Sequence, residues 1–208
     1  MRALAFLILL GAGAAPAAAA AAVEAVHSDL HGGVNVGMKA ADLPSSDYKD
    51  FVCVSPKGKT VAAFGEFTAC DTDSQGLREL AVSIDEPRAE TTLVAGHPVD
   101  LTLGFDGKGV LSRIDIVTKP KGPMFLRKKA YLLGLQAKAR YGADGWSCEN
   151  TPLAADEEAL GPTSVKEHCT KTVGERRLTV DRSLYRKTGA DARAFTSESH
   201  VVIDWTTK

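Results

Sequence analysis

Four cysteines, Cys53, Cys70, Cys148 and Cys169, follow an N-terminal run with the layout of an export signal. Together these features limit the fold more than anything else in the chain. An even cysteine count in an exported chain reads as disulfides, because the compartments beyond the inner membrane are oxidising. Three pairings are open. Cys53–Cys70 and Cys148–Cys169 are favoured because each pair brackets a plausible hairpin. A closed loop of that size stabilises by about 3 kcal/mol in the chain-entropy account. The rival, a four-thiolate zinc site, needs two cysteines within a few residues of each other, and no pair here is that close.

The signal itself consists of Arg2, a short apolar run at 4–10, and small residues at 11–22 broken by Pro16. Charge, apolar core and a small-residue cleavage site form a secretory signal peptide. The run is too short for a spanning helix, which needs roughly 20 strongly apolar residues. The expectation is a signal peptide over 1–22, a single α+β domain over 23–208, and a periplasmic or secreted location. No later run is apolar enough to cross a bilayer, so no transmembrane segment is expected after cleavage. With 25 basic and 26 acidic residues, net charge points to no nucleic-acid partner.

Hydrophobic periodicity divides the rest. Segments 60–68 and 80–84 read as strands, the second with Leu80, Val82 and Ile84 in alternation. Val99, Leu101, Leu103 and Phe105 alternate without a break and run into Asp106-Gly107-Lys108-Gly109, which supplies turn chemistry before a strand at 110–118. Strands are also expected at 146–151, 165–173, 177–185 and 200–205. Between them Leu126, Ala130, Leu133, Ala137 and Tyr141 recur at helical spacing and predict one long helix ended by Gly142.

These elements predict an α+β fold: antiparallel sheet packed with one long helix, stapled by two disulfides. In each half a cysteine pair is followed by a glycine and an alternating strand, which suggests an internal two-fold repeat with halves 34–118 and 119–208. With Gly37-Met38 opening a short helical segment at 37–43, the layout resembles small exported domains of the β-lactamase-inhibitor type. The resemblance implies a non-enzymatic binding protein with a helix pair on an antiparallel sheet. It carries over no functional residue.

Three groups of residues invite chemistry. Asp71-Thr72-Asp73-Ser74-Gln75-Gly76 resembles the start of a calcium loop, with oxygen ligands at alternate positions and a glycine at the sixth. Glu79 stands at the ninth position, but Val82 replaces the bidentate glutamate at the twelfth. The candidate metal ligands are therefore Asp71, Asp73 and Glu79, completed from Asp47, Asp50 or Asp85, with calcium or another hard cation as the ion. His27, Asp29 and His31 sit at alternate positions that would suit a transition metal on an extended chain. Finally, residues 116–143 hold one acid-free basic stretch. There Arg127, Lys129, Lys138 and Arg140 form a candidate face for an anionic membrane surface, lipopolysaccharide or an acidic partner.

Enzyme signatures are missing: no G-x-S-x-G elbow, H-E-x-x-H helix or phosphate loop occurs. Ser199, His200 and Asp204 share one strand-like segment in which Ser199 points away from His200, so they form no local triad. The leading expectation is a non-catalytic binding or accessory protein for a protein or small-ligand partner. The alternatives are a hard-cation binding protein using the Asp71 loop and an enzyme whose carboxylates are assembled by folding.

Overall fold

Where apolar residues alternate, one face of a strand can be buried while the other meets water, and this chain builds that arrangement on a larger scale than its sequence announces. The computed structural model describes residues 28–86 and 91–207. The expected signal segment 1–22 and His27 lie outside the described residues. The described residues form ten strands: β1 Tyr48–Cys53, β2 Arg78–Ile84, β3 Leu93–Val94, β4 His97–Phe105, β5 Leu111–Thr118, β6 Ser147–Asn150, β7 Glu157–Glu158, β8 Val165–Val173, β9 Arg176–Lys187 and β10 Phe195–Trp205. All pair antiparallel in the order β1-β2-β4-β5-β10-β9-β8-β6, with β3 on β4 and β7 on β9. Each half of the chain runs from an outer edge of the sheet to its centre, where β5 meets β10.

The expected α+β fold with one long helix is overturned by this sheet. The helical segment splits into α1 Met124–Arg127 and α2 Leu132–Arg140. The cause is a hydroxyl from the sheet. Ser199 Oγ on β10 donates to the Ala130 carbonyl at 2.9 Å and accepts the Gly134 N–H at 3.0 Å, so it stands between the two ends of one helical hydrogen bond. Ser197 Oγ likewise takes the Tyr131 N–H. Around the break the backbone closes tighter bonds, from the N–H groups of Lys129, Leu132 and Leu133 to the carbonyls of Leu126, Lys129 and Ala130. The first-half segment 37–43 contains only a 3-10 turn, Ala40–Asp42. The helix pair of the resemblance and the repeated helix-plus-sheet unit are therefore not what the chain forms.

The covered face of the sheet carries the core. Leu80, Leu101, Leu103, Phe105, Ile114, Leu178, Val180 and Ile203 are all essentially inaccessible. At one end the core is aromatic: Phe64 meets Tyr48 and Phe51 edge-on, with ring centroids 5.1 and 4.9 Å away. Phe64 belongs to a 3-10 helix, Phe64–Ala69, where a strand over 60–68 is expected. Phe64 and Phe67 lie three apart, so one turn of 3-10 helix buries both. At the other end α2 lies on β9 and β10. Gly134 makes that approach feasible, since a Cβ there would stand 2.5 Å from Arg182 Cγ and 2.8 Å from Val180 Cγ1.

Both disulfides form as favoured, Cys53–Cys70 and Cys148–Cys169. They fit a non-cytoplasmic, oxidising setting. Among the described residues no helix is long and apolar enough to cross a membrane.

Candidate functional site

Register alone decides which polar side chains gather on the other face of the sheet. Across β8, β9 and β10, His168 opposes Asp181 and Asp181 opposes His200. All three point away from the core, because their chain neighbours Cys169, Val180 and Val201 point into it. Asp115 joins from β5, two residues along from Val117, the residue opposite His200, and so on the same face. The result is a line of alternating carboxylates and imidazoles, Asp115–His200–Asp181–His168, across four adjacent strands.

The contacts within the line are close. His168 Nδ1 lies 2.6 Å from Asp181 Oδ1, and His200 Nε2 lies 3.1 and 3.0 Å from the two Asp115 oxygens. Each imidazole thus spends one nitrogen on a carboxylate and keeps the other, His168 Nε2 and His200 Nδ1. The His200 side chain is 41% exposed and that of His168 51%. The hydrogen bond to Asp115 raises His200 above the ordinary histidine value; burial opposes it, Asp115 and Asp181 add attraction, and Arg113 subtracts a little. Val117, Asp181, Ser183, Glu198 and His200 line a shallow depression of about 290 Å³ at the centre of the line.

The expected sites fare differently. In the Asp71 loop, Asp73 Oδ1 accepts the N–H groups of Gln75 and Leu77, both at 2.8 Å. The loop is closed by its own turn, with Thr72 bridged to Arg78. Asp71 is exposed. Glu79 lies beyond the turn on β2, where burial first and the Asp73 charge second raise its carboxyl. Asp85 is paired with Lys49 at 2.9 Å. Asp71, Asp73 and Glu79 do not converge on a common point: among the described residues, the one group of three whose ligand atoms all lie within 4.8 Å of one another is Cys148, Glu167 and Cys169. Its sulfurs are bonded to each other, and the Lys138 ammonium already occupies it, 3.1 Å from Glu167 Oε1.

Asp29 is not a free ligand either. Its side chain is wholly buried, held by Arg176 Nε at 2.9 and 3.0 Å, the Tyr141 hydroxyl at 2.8 Å and the Val36 N–H at 2.9 Å. Burial and then the Asp29 charge push the Tyr141 phenol well above its ordinary value, which keeps it a donor. His31 is exposed in a 3-10 turn.

The four expected basic residues have different surroundings. Lys138 is enclosed with Glu167 and Arg182; Arg127 lies over the Phe195 ring at 5.0 Å; Arg140 reaches the Ser28 carbonyl; Lys129 is exposed. Ser199 is buried against the helix and on the opposite side from His200, as the strand parity requires.

His168, Asp181 and Asp115 escaped the sequence reading. Strand alternation could have placed each on an outward face, but only the pairing register shows that they form one line. Comparison with protein-family models, curated proteins and solved structures finds no match to this chain.

Proposed function

We propose that this is a non-catalytic binding protein of the periplasm or the secreted space, with its ligand site on the open face of the sheet at Asp115, His200, Asp181 and His168. The ligand class this donor set suits best is a divalent transition cation such as Zn²⁺, on which the side chains would have to close by rotation, since no three of their ligand atoms lie within 4.8 Å of one another. The observation that carries this is the pairing of each histidine with its own carboxylate. In metal sites the ligating imidazole gives its other nitrogen to a carboxylate or carbonyl, which sets the tautomer and raises ligand basicity. Here His200 is so oriented by Asp115 and His168 by Asp181, on adjacent strands, and imidazole with carboxylate is a zinc- and copper-binding donor set.

Calorimetric titration with Zn²⁺ tests the reading, with a parallel thermal melt. Binding should release heat and raise the midpoint by mass action. His168→Ala and His200→Ala, both on the exposed face, should each abolish the effect while leaving the metal-free melt nearly unchanged. Silence with Zn²⁺ and Cu²⁺, or binding indifferent to both substitutions, overturns the assignment. A rise with Ca²⁺ alone, abolished by Asp71→Asn with Asp73→Asn, would place the function in the oxygen-rich loop instead.

A further inference from the structure

Exposed apolar side chains are unevenly distributed on this protein. Of five large hydrophobic residues that stand out in solvent among the described residues, Met124, Phe125 and Leu135 all fall in the helical segment, with Phe125 64% exposed. The same segment is the one that lacks acids, since no Asp or Glu occurs from 116 to 143. Lys121, Lys128 and Lys129 are exposed there. The ion pairs of the described residues use other lysines, namely Lys49, Lys119, Lys138, Lys166 and Lys187.

Helical spacing brings these features together. Lys128 and Lys129 lie three and four residues after Phe125 at the end of α1, and Lys121 precedes the helix in the exposed 120–122 bend, so the segment offers an aromatic ring with two ammonium groups one turn on and a third just ahead of it in the chain. The split of the helix matters as well. Ser199 fixes Ala130 and Gly134 to the sheet, and α1 is a separate short element ahead of that anchor.

We infer that α1 docks the protein on an anionic bilayer surface, Phe125 and Met124 entering the headgroup boundary while Lys121, Lys128 and Lys129 meet lipid phosphates. Charge complementarity selects this occupant: a protruding aromatic with a basic collar and no acid matches an interface that is apolar below and negative above. The basic residues involved are not the set read from the sequence. Lys138 is enclosed with Glu167, Arg127 lies over the Phe195 ring and Arg140 reaches the Ser28 carbonyl, and Lys121 and Lys128 take their place beside Lys129. This docking does not depend on the cation site.

The experiment is co-sedimentation of the full chain with phosphatidylcholine vesicles and with vesicles containing about a third phosphatidylglycerol. Binding to the anionic vesicles should exceed that to the neutral ones and should weaken as salt rises. The pair Lys128→Glu, Lys129→Glu should lower the partition coefficient on the order of 30-fold or more. Phe125→Ser should lower it about tenfold. Lys108→Glu, at the exposed β4–β5 turn, should leave it unchanged. Any lipid affinity of residues 1–22 is common to all variants, so the comparison isolates α1. Equal partition onto both vesicle types, or anionic binding that ignores both α1 variants, overturns the inference. Retention of an acidic protein with no retention on vesicles would also overturn it.

Discussion

Removing the carboxylate of Glu167 should destabilise this protein strongly. Glu167 stands on the covered face of β8, beneath α2. Lys138 Nζ lies 3.1 Å from one of its oxygens, and Arg182 Nε and Nη2 lie 2.7 and 2.6 Å from the other. The three side chains are only 11–15% exposed, so water cannot take over for a missing partner. Glu167→Ala leaves two cations facing each other in a poorly hydrated space. Breaking a buried ion pair from one side costs about 3–5 kcal/mol, which for a chain of this size is a fall in melting midpoint of about 6–20 °C. Lys138→Ala should cost less, because Arg182 still neutralises Glu167, yet it should be clearly measurable. That differs from the expectation of an outward-facing Lys138, and the reason is that the helix turns this lysine onto the sheet.

The carboxyl of Glu167 also makes the prediction sensitive to pH. Burial pushes it up, but the hydrogen bonds from Lys138 and Arg182 outweigh burial and hold it below the ordinary glutamate value. A carboxyl whose folded value is depressed contributes stability that is fully present above its unfolded value, near 4.3, and is lost as pH falls through the folded value. Urea titrations of both proteins from neutral to acid pH should therefore converge as the solution becomes acidic. A midpoint shift under about 2 °C at neutral pH, or a shift no larger than that of Asp156→Ala in the exposed pair with Lys187, would refute the reasoning. So would a gap between wild type and variant that does not narrow in acid.

Two further outcomes follow from the geometry. Gly134→Ala should destabilise by about 1–3 kcal/mol, although alanine is the better helix former by about 1 kcal/mol, because its Cβ collides with Arg182 and Val180; a melt at or above the wild-type midpoint would show that α2 can move off the sheet. His200 should titrate above 6.5 by NMR, with the Asp115 hydrogen bond as the main cause and Asp181 helping against burial and Arg113, and Asp115→Asn should lower it. Its contribution to stability is then present below the unfolded value and lost as pH rises through the folded one, and an unshifted His200 would remove the proposed orientation by Asp115.

Most strands were legible because a half-buried strand must alternate. The segment 165–173 appears with the same bounds as β8, and the Asp106 hairpin forms with Asp106 Oδ1 accepting the Lys108 and Val110 N–H groups. β1 was missed for a local reason. Asp50 sits at φ 56°, the pairing with β2 slips between Lys49 and Val52, and the buried residues Tyr48, Phe51 and Cys53 lose their period of two. The long helix was misread in its continuity. Its stripe is real in part, for Ala130 and Leu133 are buried and Ala137 and Tyr141 pack on the core. What broke it was a serine 65 residues away in sequence, and periodicity holds no information about that contact. The cation-like loop failed to gather its ligands for a related reason: DTDSQG satisfies its own backbone, and such turns look the same in sequence whether or not an ion completes them.

The candidate site and the helix anchor are consecutive residues read on opposite faces. Glu167 and His168, Asp181 and Arg182, Ser199 and His200 are three such pairs on neighbouring strands. Within each pair one side chain holds or backs α2 and the other stands in the carboxylate–imidazole line. A slip of one residue in any strand would place an imidazole or an aspartate against the helix and a glutamate, arginine or serine in solvent. The covered ion pairs and the Ser199 hydroxyl therefore penalise the slips that would scatter the line. Substitutions should separate by parity. Changes at 167, 182 and 199 should act first on stability, and through it on any ligand. Changes at 168, 181 and 200 should act on the ligand with little effect on the metal-free fold. A His168→Ala protein that melts like Glu167→Ala would show that the two faces are not independent, and that the line is part of the scaffold rather than a surface it presents.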